Sequence, residues 1–155
     1  MHKTSGIAGI KGLAILVCAL ASGAVACQSW KSVEFTTSYG FCAGYCETVV
    51  KLDEAASGTI RQSAPRGDLP PIENNLSYPE RAAELDNAVE RARSISWDAR
   101  YGCPDCVDQG SYKVTVVTSG ATHTTILDPS QHPDAFDPLI AFVARIRSEY
   151  PAPAP

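Results

Sequence analysis

Alternation of apolar and polar residues predicts the strands of this chain. The segments with this pattern are 33–37, 46–52, 59–62, 112–117 and 122–127. Ser57-Gly58 ends the second run, and a short third segment, 59–62, follows it. Ser119-Gly120 separates the last two segments, so this pair predicts a β-hairpin.

Apolar residues spaced three or four positions apart predict two helices. The first is expected to begin near Ser77, because Ser77 and Glu80 have the spacing of a capping box and Pro79 suits a first turn. The apolar face of this helix consists of Ala82, Leu85, Val89 and Ala92. The second helix is expected to begin near Pro133 or Asp134. Its apolar stripe consists of Phe136, Leu139, Ile140, Val143 and Ile146. The polar stretches 63–75 and 98–110 are interpreted as loops.

These elements predict one α+β domain over residues 33–150. Their order is β-β-(β)-α-β-β-α, in which the bracketed strand is the short one. The simplest arrangement is an antiparallel sheet of four to five strands with both helices on one face. The Pro/Ala-rich tail 151–155 is expected to lie outside the domain.

The N-terminus has the features of a secretion signal. Basic residues are followed by a short apolar run and then by small residues that end at Ala26, so 1–26 is interpreted as a signal peptide. Cys27 comes directly after it, in an imperfect lipobox, and 27–32 would form a short tether. Two outcomes stay open: lipidation of Cys27 on the outer face of a bacterial membrane or in the periplasm, or simple cleavage and free secretion.

Charge narrows the class of partner. The whole chain has a net charge of −4, and removal of Lys3 and Lys11 with the signal peptide makes the remainder more acidic. An acidic surface repels nucleic acid and anionic lipid, so we expect no nucleic-acid partner. Contact with a membrane is expected only through a lipid on Cys27.

Four cysteines remain once Cys18 and Cys27 are set aside. They are Cys42, Cys46, Cys103 and Cys106. Export to an oxidising compartment favours two disulfides, either within each close pair or in one of two crossed arrangements. A four-cysteine zinc site and a redox-active dithiol at Cys103 and Cys106 are the alternatives.

Catalytic motifs are not found. The sequence contains no nucleophile elbow, zinc-protease motif, phosphate-binding loop or EF-hand loop. His123 lies in a predicted strand and His132 in a loop, and their spacing to Asp128 or Asp134 matches no metal-ligand pattern. The sequence therefore predicts a protein that is not an enzyme and that has no cofactor or metal.

Several short segments resemble the emfourin family. They are 35–41 followed by Ala43-Gly44, the helix segment 82–92, the hairpin residues Tyr112, Val114, Val116, Gly120 and His123-Thr124, and the ending Pro133 to Phe142. Emfourin-like proteins are small inhibitors of protealysin, a thermolysin-like zinc metallopeptidase. The cysteines and residues 53–78 depart from that pattern. The motif Gly40-Phe41-Cys42-x-Gly44-x-Cys46 resembles instead a family of bacterial envelope lipoproteins, which implies location and fold but no activity.

The resemblance and the predicted signal peptide together imply an exported, non-enzymatic binding module that inhibits or docks to an extracytoplasmic metallopeptidase. Phe41 and Tyr45 are predicted to be buried anchors at the contact, with Asp105 or Asp108 as polar contacts. An ordinary structural role for the two aromatic residues, in the core or a turn, is the alternative. The alternative function is a structural or assembly lipoprotein of the envelope without a peptidase partner.

Overall fold

A computed structural model describes residues 29–40, 42–64, 69–104, 106 and 109–153. The predicted signal peptide and Cys27 lie outside these residues, as do Phe41, Asp105 and Asp108. No helix in the described part of the chain has the length and apolar character needed to cross a membrane.

The described residues form one seven-stranded sheet and two α-helices. The strands are β1 (Trp30–Ser38), β2 (Glu47–Asp53), β3 (Ser57–Ser63), β4 (Ile72–Ser77), β5 (Arg100–Tyr101), β6 (Ser111–Thr118) and β7 (Thr122–Leu127). The helices are α1 (Ala82–Arg93) and α2 (Asp137–Glu149), each preceded by a short 3₁₀ turn. The spatial strand order is β4-β3-β2-β1-β6-β7-β5, and every pair is antiparallel except β5 with β7.

One face of the sheet is buried and the other is open. In the central strands Phe35 lies opposite both Val50 and Val114, and Val50 lies opposite Ile60, so these side chains share a face. All four are almost fully buried, in one core with the apolar residues of both helices. Residues that alternate with them, such as Lys51 and Lys113, are exposed. Both helices therefore cover the same face of the sheet.

The prediction of an α+β fold with two helices is confirmed, but the prediction of four to five antiparallel strands is wrong. Residues 72–75 of β4 lie in the stretch that was predicted to be a loop, and β5 adds a short parallel pairing in the other predicted loop. The first helix also begins later than predicted. Ser77 is the last residue of β4, and α1 follows a 3₁₀ turn over Pro79–Arg81 without a side-chain cap.

The start of β1 is a further correction. The strand begins at Trp30, so residues 30–32, predicted to belong to a tether, are part of the sheet. Trp30 is 2% exposed, and its indole N–H donates a hydrogen bond of 2.9 Å to Asp86 on α1. A shift in register between Trp30 and Ser32 interrupts simple alternation. This irregularity allows an even-numbered residue to face the same core as Val33 and Phe35.

Candidate partner-binding edge

Four connections meet at one end of the sheet. Because the strands alternate in direction, the ends of β1, β3 and β7 lie beside the starts of β2, β4 and β6. The end of β5 lies there too, since β5 runs parallel to β7. We call this end the loop edge; it comprises the described residues of the connections 39–46, 64–71, 102–110 and 128–133.

Both disulfides lie at the loop edge, one within each of two connections. The structure bonds Cys42 to Cys46 and Cys103 to Cys106, with Cα–Cα distances of 5.6 Å and 5.3 Å. This is the local arrangement of the three that the sequence left open. Cys46 is buried, whereas Cys103 and Cys106 are exposed. Each bond closes a turn of a few residues and so restricts the connection that contains it.

Tyr45 links two of the connections. Its side chain is half-buried, and its hydroxyl donates a hydrogen bond of 2.9 Å to the carbonyl oxygen of Pro70. The residue therefore holds 39–46 against 64–71, which is a structural role. Of the four residues predicted to contact a partner, Tyr45 is the one that the structure describes.

Gly110 brings the β5–β6 connection close to the β1–β2 connection. A Cβ atom at this position would lie 2.2 Å from the carbonyl oxygen of Ser38 and 2.8 Å from Cδ1 of Tyr39. The φ angle of Gly110 is +82°, a value that residues other than glycine rarely adopt. Beside it, the hydroxyls of Ser38 and Ser111 are hydrogen-bonded at 2.9 Å. The glycine thus permits the close approach of the two connections, with the Tyr39 ring beside it.

Asp128 fixes the other half of the loop edge. Its side chain is 3% exposed and accepts hydrogen bonds from the backbone N–H and hydroxyl of Ser130, at 2.7 and 2.8 Å. It also accepts from the side chain of Gln109 at 2.8 Å and from the backbone N–H of Cys103 at 3.1 Å. The pKa of Asp128 is held below its usual range, and the hydrogen bond from the Ser130 N–H is the largest cause. The Ser130 hydroxyl and the backbone N–H groups of Cys103 and Gln131 also lower it, against burial, which raises it.

The two histidines have different surroundings. His132 is half-buried: its Nδ1 lies 2.8 Å from the carbonyl oxygen of Asp128, and its Nε2 lies 3.1 Å from Asp137. His123 is exposed on β7, where its ring meets Trp97 edge-on with centroids 6.1 Å apart. Within the described ranges, no group of three or more His, Cys, Asp or Glu side chains is arranged to hold a metal ion.

Exposed apolar side chains are concentrated at the loop edge. Among the described residues, the large hydrophobic side chains that are exposed are Tyr39 at 39% and Leu69 at 40%. Both belong to loop-edge connections. Sequence reasoning missed them as contact candidates, because a tyrosine after a strand and a leucine in a proline-containing loop have no distinguishing pattern. It did single out Phe41 and Tyr45, which belong to the same connection as Tyr39.

No protein-family model and no curated protein matches this sequence.

Proposed function

We propose that this chain is an exported, non-enzymatic binding module that docks by its loop edge to an extracytoplasmic metallopeptidase of the thermolysin-like class. The observation that carries the proposal is the coincidence at one end of the sheet of both disulfides and both exposed large apolar side chains, Tyr39 and Leu69. The metallopeptidase class rests on the emfourin resemblance.

Preorganisation of the loop edge supports binding. Ordering a mobile loop on association costs affinity, so a rigid loop binds more tightly for the same contacts. Here one disulfide restricts the connection 39–46 and the other restricts 102–110. The Tyr45 hydroxyl links 39–46 to Pro70, and the Asp128 side chain links 128–133 to 102–110 through Gln109. The Tyr39 ring lies beside Gly110 and is partly exposed, and tyrosine is one of the residue types enriched at binding hot spots.

The polar groups of the loop edge support a non-enzymatic role. A general acid or base must have a lone pair or proton available to a substrate. Both carboxylate oxygens of Asp128 already accept hydrogen bonds, and both ring nitrogens of His132 are within hydrogen-bond distance of Asp128 or Asp137. These groups maintain the shape of the edge.

Export is part of the proposal. Disulfides form and persist in oxidising compartments, and two are present here. Attachment to a membrane would depend on a lipid at Cys27, as its position after the predicted signal peptide suggests. Expression of the full chain with Cys27→Ser tests this: we expect the variant to leave the membrane fraction, and membrane retention would contradict lipid anchoring.

The test of binding is inhibition of a panel of thermolysin-like metallopeptidases by the oxidised protein. We expect stoichiometric inhibition that Tyr39→Ala and Leu69→Ala each weaken by about tenfold or more, as at a binding hot spot. Thr122→Ala serves as the control, because Thr122 is exposed at the opposite end of the sheet. Variants that all inhibit equally would refute the loop edge as the contact.

Absence of inhibition by a folded, monodisperse sample would refute the metallopeptidase as partner. Affinity capture from membranes with the same sample then separates the remaining possibilities. Recovery of an envelope complex without a peptidase would favour the structural or assembly lipoprotein.

A further inference from the structure

Strand β4 is an open edge of the sheet. It has six residues, and within the described part of the chain the strand that pairs with it is β3. The strand contains no proline, lysine or arginine, although such residues commonly prevent edge strands from pairing with other chains. The opposite edge is β5, which has two residues. An edge of the length and character of β4 is a template for another strand.

We propose that β4 pairs antiparallel with β4 of a second copy, which gives a symmetric dimer with one continuous sheet. A second copy is the occupant because the sequence of β4 matches itself in one register. In that register the two-fold axis passes through Asn74. Ile72 of each copy then faces Leu76 of the other, and Glu73 faces Asn75.

The neighbouring registers are less favourable. An axis at Glu73 places two carboxylates opposite each other, and like charges in that position are destabilising. An axis between Asn74 and Asn75 would set Glu73, on the open face, against Leu76, on the helix-covered face, which antiparallel pairing does not allow. An axis at Asn75 leaves Ile72 without a partner in the second β4. The axis at Asn74 alone matches apolar with apolar and charged with polar residues.

The register is consistent with the face of the sheet on which each β4 residue lies. Ile72 lies opposite Gln62 and Leu76 lies opposite Gly58, so both belong to the face that the helices cover. Ile72 is half-buried in a single copy, and a facing Leu76 would extend the apolar surface beside it. Glu73 and Asn75 are exposed on the open face, where an acid and an amide can both remain hydrated.

Leu69 also favours a second copy, and its burial there would exclude the contact with a peptidase that is proposed for it above. It is 40% exposed and lies just before β4. In the proposed register the segment before one β4 runs beside the end of the other, where Tyr78 and the exposed Pro79 follow. Association would therefore cover a leucine that a single chain leaves in water.

The edges also explain why association stops at two copies. A head-to-tail array would need two complementary edges, whereas β5 offers two residues for pairing. Contact through six residues is small beside stable interfaces, which bury about 1,200 to 2,000 Å². We therefore expect a weak dimer that forms as the concentration rises.

Sedimentation velocity of the purified exported protein, from micromolar to millimolar concentration, tests the pairing. We expect a reversible monomer–dimer equilibrium. Asn74→Lys would place two ammonium groups across the axis, with Cβ atoms about 5 Å apart, and weaken the dimer about fivefold. Asn75→Lys is the matched control, because it adds the same charge to the same edge but faces Glu73, so the dimer persists or tightens.

Cross-linking tests the register by geometry. Oxidation should link Asn74→Cys chains readily, because position 74 faces itself across the axis, whereas Asn75→Cys chains should link slowly. A monomer at every concentration, equal effects of the two lysines or faster linking at position 75 would each overturn the proposal. Circular dichroism and melting temperatures of the variants show that they remain folded, which is expected of exposed edge positions.

Discussion

Trp30 provides the sharpest test of where the domain begins. The residue precedes the alternating pattern of β1, yet it is 2% exposed and donates a hydrogen bond to Asp86 on α1. If the domain begins here, Trp30→Ala removes a large side chain from the core. If it begins at Val33, the same substitution changes a tether and has little effect on stability.

The structure gives the expected magnitude. Truncation of a buried Trp or Phe to Ala costs about 3–5 kcal/mol, a large part of the roughly 5–15 kcal/mol by which domains are stable. Trp30→Phe keeps most of the apolar contact and loses the indole N–H. Because Asp86 is exposed and can be hydrated instead, that hydrogen bond contributes about 1 kcal/mol. We therefore expect the alanine variant to be much less stable than the phenylalanine variant.

Guanidinium unfolding followed by far-ultraviolet circular dichroism measures the difference, and this signal does not depend on the tryptophan removed. Lys31→Ala is the control, because Lys31 is exposed on the same strand and its loss should change stability by less than about 0.5 kcal/mol. Asp86→Ala in the Trp30→Phe background should add little, since the shared hydrogen bond is already absent. A cost below about 1 kcal/mol for Trp30→Ala would refute the placement of Trp30 in the core.

Three further predictions concern the loop edge. Replacement of Cys42 and Cys46 by serine should cost about 2 kcal/mol, because the bond spans a sequence separation of 4, and thermal melting should show a folded protein that inhibits less well. Replacement of Cys103 and Cys106 by serine should weaken inhibition more than it lowers stability, because Asp128 still accepts the hydrogen bond from the backbone N–H of residue 103. A large loss of stability together with the loss of inhibition would contradict this role of Asp128. Asp128→Asn should lower the melting temperature at neutral pH. Because the pKa of Asp128 is lowered in the folded state, the difference in melting temperature between the two proteins should be largest above about pH 4 and should disappear as the pH falls through the folded pKa. A difference in melting temperature that persists in acid would contradict this prediction.

Strong periodicity made part of the fold predictable from sequence. β6 alternates from Ser111 to Val116, and α2 has an apolar stripe, so their type and approximate position could be read from the residues. β4 could not, because Glu73-Asn74-Asn75 has low strand propensity and its pairing depends on β3. β5 has two residues and pairs in parallel with β7, and no local sequence pattern predicts it. Trp30 was missed because an irregularity in register reverses the alternation on which the prediction relied.

The loop edge was predictable only in part. Cysteine spacing and the predicted signal peptide indicated disulfides, but the choice between local and crossed pairs needed the distances between connections. Asp128 followed by Pro129 and Ser130 has the local pattern of a turn in which a carboxylate binds the backbone two residues on. Its hydrogen bonds to Gln109 and Cys103 join residues about 20 or more positions apart, which no local pattern contains.

The direction of β1 determines what a membrane-bound copy can do. The strand has nine residues and rises roughly 30 Å from Trp30 to the loop edge. A chain lipidated at Cys27 would therefore hold its loop edge at that height above the lipid, with the β2–β3 and β6–β7 turns beneath. Antiparallel pairing through β4 would set the two Trp30 ends at opposite ends of the joined sheet. A single bilayer cannot hold both copies upright in that state, so anchorage and dimer formation would compete for the same molecule.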